Sequence, residues 1–542
     1  MKKIFIAILS AGVLFAACTN LDEKVYSSMT SESYYKNFSD DDIPAALGKL
    51  YSDIRLLYSG NAVHTGGCWL YTNEEVSDIW ITPKRGGAWY DGGIYYRLNK
   101  HVWDYDDAHM LNNWRKAYRS INDCNRLLYE FENAGVKNEK MNSEIRVARA
   151  FWYFVLCDMY GNVPIQTRYD VPADYTPETS KRQQVFDFII TEITESLPNL
   201  EKKVYGRWDY YAATCLLAKM YLNAASWNIN TGTVNAWDKV VELCDDILDH
   251  GGYMLEPDYK ASFVTENQNS KEIIMACVND DVYNQYSGDQ PWTLHLCTMH
   301  WKYCYHGNTV TQYWGGCCST PEFAYSYDPD DLRYEKTWFE GQLYDNTGEY
   351  TGVVGSPLYC DPWDSRNQGD LLCHTKDIPI FPGDDIETTS EASGVRMQKY
   401  EIKTGCLNRL SNDFVLFRLA DVYFMKAEAM YWKNGGVANQ DICDLINAVR
   451  ERAFTNFTND KKVTPAQLDD NRFLLEYGWE FCTEGWRREQ LIRFGQFTTK
   501  TWFMHPTPSD DYRKLFPVPR AELLANPKLE QNPGYPKPGG ES

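Results

Sequence analysis

Beyond residue 17, this 542-residue chain has no apolar run long enough to cross a bilayer. It is also short of positive charge. Against 75 Asp and Glu stand 54 Lys and Arg, a formal net charge of −21, which excludes the basic face that nucleic acid or anionic lipid would require. Catalytic signatures are missing as well: the sequence holds no nucleophile elbow, no HExxH and no phosphate loop. Glycoside hydrolysis would need two carboxylates a few ångströms apart, one with a raised pKa, and among 75 acids sequence alone places no such pair. No cofactor motif is present, and no strict repeat of about 34 residues runs through the chain.

What is present begins at the N-terminus. Lys2 and Lys3 precede an apolar run from Ile4 to Ala17, which closes on Cys18 in the string LFAAC. That pattern is a secretory signal over residues 1–17 ending in a lipidation cysteine, because the run is too short to span and the chain turns polar at Thr19. The expectation is a mature protein that starts at Cys18, carries a polar tether over residues 18–40, and hangs from a bacterial membrane by acyl chains. The 15 cysteines other than Cys18 are an odd number, so they cannot all pair internally. Cys157, Cys215, Cys244 and Cys443 fall at apolar helix positions and read as small buried hydrophobes. Cys317 and Cys318 are left open between a vicinal disulfide and pairing with Cys297, Cys304 or Cys360.

Helical patterning starts after the tether. Ile145, Ala148, Trp152, Val155 and Met159 form one stripe over Glu144–Tyr160, stopped by Gly161 and Pro164. Tyr211–Ala225 repeats the device, and Asp413–Trp432 is a third helix by the same reading. Weaker patterns predict helices at 43–57, 110–133, 183–196, 237–249, 441–452 and 471–494. Small residues at packing positions suit tetratricopeptide-like helix pairs, so the expected fold is mostly α with long irregular loops and little β structure. One domain over residues 41–542 is expected, with helical scaffold at about 41–277 and 412–500. Between about 278 and 411 periodicity fails and Gly, Pro, Asp, Tyr, Trp and Cys crowd together, too long a stretch for an idle connector.

Aromatic residues are the compositional outlier, with 18 Trp and 39 Tyr in a 15% aromatic share. Indole and phenol rings offer flat apolar faces with a polar tip, which suits sugar rings, whereas carboxylates, amides and guanidinium groups suit sugar hydroxyls. Two regions supply both kinds of group: Asp78, Arg85, Trp89, Tyr90, Asp91 and Tyr96 in the first, and Trp292, Trp301, Tyr303 and Trp314 in the second. His295, His300, Cys304 and His306 match no standard zinc spacing and are read as scattered loop residues. Asp328, Asp330 and Asp331 lack the full calcium-loop pattern and are read as a turn. Glu480, Glu484, Arg487 and Arg488 are spaced for ion pairs one turn apart on a helix.

Nine segments in order also carry a resemblance. They include CTNLDE at Cys18, PKRGGAWYDGGIYYRLNKHVW from Pro83, ARAFWYFVLCDMYGNVPI from Ala148, DLRYEKTW from Asp331, FRLADVYFMKAEAMYW from Phe417, EGWRREQLIRFG from Glu484 and LFPVPRAELLANPKLEQNPGY from Leu515. Together these resemble the SusD/RagB family, the surface glycan-binding lipoproteins that Bacteroidetes encode beside a TonB-dependent transporter. Gln490 and Tyr477 depart from the family's usual Asp and Arg. The resemblance implies a non-catalytic, lipid-anchored outer-membrane protein that captures an oligosaccharide and delivers it to a SusC-like transporter. It implies an aromatic arc for the glycan, without transferring contacts residue by residue. A surface glycan hydrolase and a helical-repeat lipoprotein that binds peptides remain the alternative readings at this point.

Overall fold

The computed structural model describes residues 39, 42–58, 66–280, 294–307, 313–361, 367–381, 388–404 and 410–539. The signal, Cys18, most of the tether and Trp292 lie outside the described residues. Helices dominate. α1 spans Ile43–Asp53, α2 Trp69–Glu75, α3 Ile94–Asn99, α4 Ala108–Ala134, α5 Glu139–Tyr160, α6 Arg182–Ser196, α7 Tyr210–Asn223 and α8 Ala236–His250. After a long excursion come α9 at Leu419–Lys433, α10 at Gln440–Arg450, α11 at Asp470–Phe481 and α12 at Arg487–Arg493.

The caps explain where the scaffold helices begin. Asn138, Asp209, Asn235, Asn439 and Asp469 each accept a hydrogen bond from a first-turn backbone N–H, satisfying donors that the helix itself leaves unpaired. From α4 to α10 each helix packs on the next, so successive antiparallel pairs stack side by side as in a tetratricopeptide array. The core is rich in aromatics: Phe151 and Trp208 meet at 4.9 Å between ring centres, and Phe417 stacks on Trp486 at 5.9 Å.

Although α8 and α9 are neighbours in space, residues 251–418 intervene between them in sequence. A two-stranded antiparallel ladder closes this excursion: β1, Ile273–Cys277, pairs with β2, Phe414–Arg418. Every residue of both strands is buried. Asp413 Oδ1 accepts from Asn279 N at 2.8 Å just beyond the ladder, which ties the two ends of the loop-rich segment together. The predicted helix from Asp413 is therefore corrected. Its first turn is strand, because a short run of buried Phe, Val and Leu satisfies either element and here pairs with β1.

A second correction concerns the predicted helix 471–494, which breaks between α11 and α12 at Thr483 (φ 65°) and Gly485 (φ +88°). A Cβ on Gly485 would lie 2.2 Å from the Trp69 ring, so glycine is required there on both counts. The break separates the charges expected to pair along one helix. Instead, Arg418 binds Glu272 (2.9 Å), Glu480 (2.7 Å) and Glu484 (2.9 Å), while Arg333 binds Asp331 and Glu480, all in the interior. Arg487 pairs with Asp78 and Arg488 with Asp158. Removing one member of such a buried set costs about 3–5 kcal/mol, far above the tenths assigned to surface pairs.

Candidate functional site

The segment from Thr82 to Asn99 is coiled tightly. Gly86, Gly92 and Gly93 take positive φ, and so do Trp89 (60°) and Asp91 (43°), an unusual backbone for a bulky side chain that persists only where surroundings hold it. Those surroundings are visible. Trp89 Nε1 donates to the Trp314 carbonyl at 3.0 Å, and the indole lies so close to Gly316 that a Cβ there would sit 2.3 Å from the ring. Beneath the indole, Arg85 donates to the Gly316 carbonyl (2.8 Å) and to the carbonyls of Ser390 (2.7 Å) and Ser393 (2.9 Å). Three stretches of chain far apart in sequence are thus stitched into one surface.

Tyr90 and Trp314 present 43% and 38% of their areas to solvent, Asp91 is exposed, and Trp89 and Tyr96 are half-buried. Tyr96 is fixed by Lys100, whose ammonium lies 4.1 Å from the ring centre and donates to the phenol oxygen at 3.0 Å. Tyr95, buried below, donates to Asp91 at 2.9 Å, and its ring meets Trp89 at 5.8 Å. A cleft of about 20 Å³ opens under these rings, lined by Thr82, Lys84, Trp89, Tyr90, Tyr96 and Asn99 among others.

Two of the expected polar contacts are not on this surface. Asp78 is 5% exposed and bound to Arg487 (2.6 Å) and Lys500 (2.5 Å); Arg85 is 1% exposed and donates to three main-chain carbonyls and to Cys318 Sγ (3.2 Å). Burial opposes the Asp78 charge, but the two cations outweigh it and hold the carboxyl well below the usual range. Both side chains build the loops rather than touch a ligand. The charge in this stretch was legible; its partners, between 231 and 422 residues away, were not.

The second region forms an adjoining aromatic group. Trp301 is half-buried, with its Nε1 donating to Asp361 Oδ2 at 2.6 Å. Tyr350 stands edge-on to it at 5.8 Å, and Tyr305 at 6.2 Å. Tyr303 packs as an underlayer against Tyr313 and Phe339, each at 5.6 Å. Because Tyr313 precedes Trp314 directly, the chain at 313–316 links the two aromatic groups. Sequence reasoning missed Tyr344, Tyr350 and Tyr359, three exposed rings in the stretch 341–361. They fall within the Gly- and Tyr-dense stretch of about 278–411.

Among the described residues, one set of metal-ligating side chains converges: His300, Asp361 and Glu391, all buried. Their atoms are already engaged. Lys302 N donates to His300 Nδ1 (3.1 Å), which leaves the proton on Nε2, and Nε2 donates to Glu391 at 3.1 Å. Lys302 Nζ sits 2.6 Å from Asp361, so an ammonium supplies the positive charge. Burial lowers the His300 pKa despite Glu391, and the ring does not carry charge at neutral pH. The arrangement braces Trp301; it does not fit a metal. Cys297, Cys304, Cys317, Cys318 and Cys360, left open for pairing, are free thiols. Asp331 N donates to the Asp328 carbonyl at 2.9 Å, closing the turn expected there.

Comparison with known proteins gives a consistent result. A family model described as "SusD family" matches residues 271–535, and one described as "Starch-binding associating with outer membrane" matches residues 72–222. The chain is 25% identical over 432 residues to the starch-binding protein SusD of Bacteroides thetaiotaomicron, covering 73% of each. A SusD superfamily protein from Parabacteroides distasonis superposes with a TM-score of 0.70 at 18% identity, over 92% of this chain and all of that one. Surface glycan-binding protein A from Bacteroides thetaiotaomicron, solved in complex with laminarihexaose, superposes with a TM-score of 0.66 at 17% identity, over 91% and 100% of the chains.

Proposed function

Because the chain belongs to the SusD family, we propose that it is a glycan-binding protein of the outer membrane whose sugar site is the aromatic surface around Trp89, Tyr90, Tyr96 and Trp314, extended by Trp301 and its neighbours. The observation that carries this reading is the stitching of Trp89 to the 313–316 loop, which fixes half-exposed ring faces before any ligand arrives. Preorganised plates lose little entropy on binding, so stacking is not offset by ordering of loops. The starch-binding relative and the laminarihexaose complex of a structural neighbour support the choice of glycan as ligand.

The protein holds carbohydrate and does not cut it. Asp361 and Glu391, the carboxylates beside Trp301, are occupied by Lys302, His300 and main-chain N–H groups, so neither is poised as a general acid. Lipidation at Cys18 anchors the mature chain at the cell surface, where it passes captured oligosaccharide to a SusC-like TonB-dependent transporter. Tethering beside the barrel raises the local ligand concentration, so modest affinity suffices and release stays fast.

Affinity electrophoresis of the chain from Thr19 onward, against starch, β-glucan, mannan, xylan and pectin gels, tests binding. At least one polysaccharide should retard migration without release of reducing ends. New reducing ends would favour the hydrolase reading, and retention on protein ligands with no shift on any gel would favour the peptide binder.

A further inference from the structure

A second cleft, of about 940 Å³, shares no residue with the aromatic surface described above. Its volume falls in the range of pockets that bury small ligands, about 300–1,000 Å³. Tyr325, Asp328, Asp330, Tyr334, Lys376 and Asn456 are among its walls, together with the buried rings of Tyr327 and Phe454. These groups come from stretches 325–335 and 454–461 and from residue 376, which the fold brings together.

The two outer rings are fixed in place. Tyr325 is 58% exposed, and its phenol donates to Asp377 Oδ1 at 2.9 Å. The Tyr334 phenol donates to Glu340 Oε2 at 2.6 Å, and Tyr327 meets the Tyr334 ring edge-on at 5.3 Å. Lys376 joins the two outer rings, its ammonium 4.1 Å from the Tyr334 ring centre and 5.2 Å from that of Tyr325. Among the described residues it has no carboxylate partner, so its N–H donors remain open to a ligand. Asp330 pairs with Lys461 at 2.6 Å and Asp328 with Arg450 at 3.4 Å, which keeps both carboxylates as hydrogen-bond acceptors rather than general acids.

That combination selects the guest. A carboxylate in an ion pair still has lone pairs for a second donor, and the exposed amide of Asn456 both donates and accepts. A purely apolar molecule would strand the charged rim, and a phosphate would face Asp328, Asp330 and Glu335. No strand lines the cleft, so no peptide extends a sheet there. A ring with an apolar face and a hydroxylated edge answers both the tyrosine plate and the polar groups around it.

We propose that this cleft is a second carbohydrate site, in which a sugar ring stacks on Tyr325 while its hydroxyls bond Lys376 and the carboxylates of the cleft. The inference rests on the chain being a glycan binder. Where one polysaccharide reaches both clefts, the second contact is intramolecular and adds retention without raising the affinity of either site.

The experiment is calorimetry on the chain from Thr19 onward with maltohexaose, laminarihexaose, xylohexaose and mannohexaose. For the probe that wild type binds most tightly, Trp89→Ala should retain a weaker binding event. Adding Tyr325→Ala or Lys376→Met to Trp89→Ala should weaken that event at least fivefold. Tyr325→Ala alone should leave the tighter event and the melting temperature unchanged, because the ring is largely exposed. Loss of all binding in Trp89→Ala overturns the inference and leaves the first site standing. So does a residual event that neither added substitution changes. If Tyr325→Ala alone abolishes binding while Trp89→Ala binds as wild type, the second site stands and the location given to the first falls. If no probe binds, the glycan-binding reading fails and this inference fails with it.

Discussion

Gly316→Ala isolates what holds the site together, because the residue is buried behind the Trp89 plate and sets its position. An added Cβ would lie 2.3 Å from the Trp89 indole, whereas ordinary contact begins at 3.4 Å, so the ring must retreat by about 1.1 Å. That movement breaks the 3.0 Å bond from Trp89 Nε1 to the Trp314 carbonyl, which is worth about 0.5–1.5 kcal/mol. Overpacking of this kind adds about 1–3 kcal/mol, so a loss of about 2–4 kcal/mol in stability is expected. In a chain held by an extensive buried core this shifts the melting point without unfolding the protein. The binding effect is larger in proportion. Displacing a central aromatic anchor costs about 2 kcal/mol, or roughly thirtyfold in affinity. Calorimetric titration of the best-bound oligosaccharide, alongside thermal melting, measures both. Wild-type affinity in Gly316→Ala would refute the argument that the Trp89 plate is positioned through this contact.

Asp78→Ala should lower stability by about 3–5 kcal/mol, by stranding the buried Arg487, and should leave glycan affinity per folded molecule unchanged; a selective loss of affinity would return Asp78 to the binding site. The Asp78 carboxyl is depressed in the folded state, so the stability it supplies is complete above the unfolded carboxylate pKa and is lost as pH falls below it; the Asp78→Ala variant should show a shallower fall in melting temperature on acidification. Glu75 has the opposite sign: its folded pKa of about 8 exceeds the unfolded value of 4.5, so its contribution is present at low pH and lost between those values, and Glu75→Gln should raise the melting temperature most at pH 8. Trp301→Ala should weaken binding of long oligosaccharides more than short ones, as read by calorimetry across a length series. Cys18→Ala should abolish partitioning of the expressed protein into the detergent phase, and unchanged partitioning would contradict the lipid anchor.

The helical scaffold was legible because it is written locally. The stripe in 144–160 and the small residues of 211–225 predict α5 and α7 to within a few residues, and Gly161 stops α5 as expected (φ 70°). Long-range pairing was not legible. Phe414–Arg418 reads as helix by periodicity and becomes strand because β1 lies opposite it, some 140 residues earlier. The 471–494 pattern conceals a break whose cause, Trp69 against Gly485, lies more than 400 residues upstream. The site shows the same division. Density of Trp, Tyr and Gly pointed to Trp89, Tyr90, Tyr96, Trp301 and Trp314, which the structure leaves exposed or half-buried, whereas Asp78 and Arg85 are buried against partners that charge type alone does not reveal.

A crystal structure with the best-binding oligosaccharide tests the central claim most directly. The account predicts sugar rings lying flat on the Trp89, Tyr90 and Trp314 faces. Oligosaccharide bound elsewhere on the protein, with those faces bare, would contradict it.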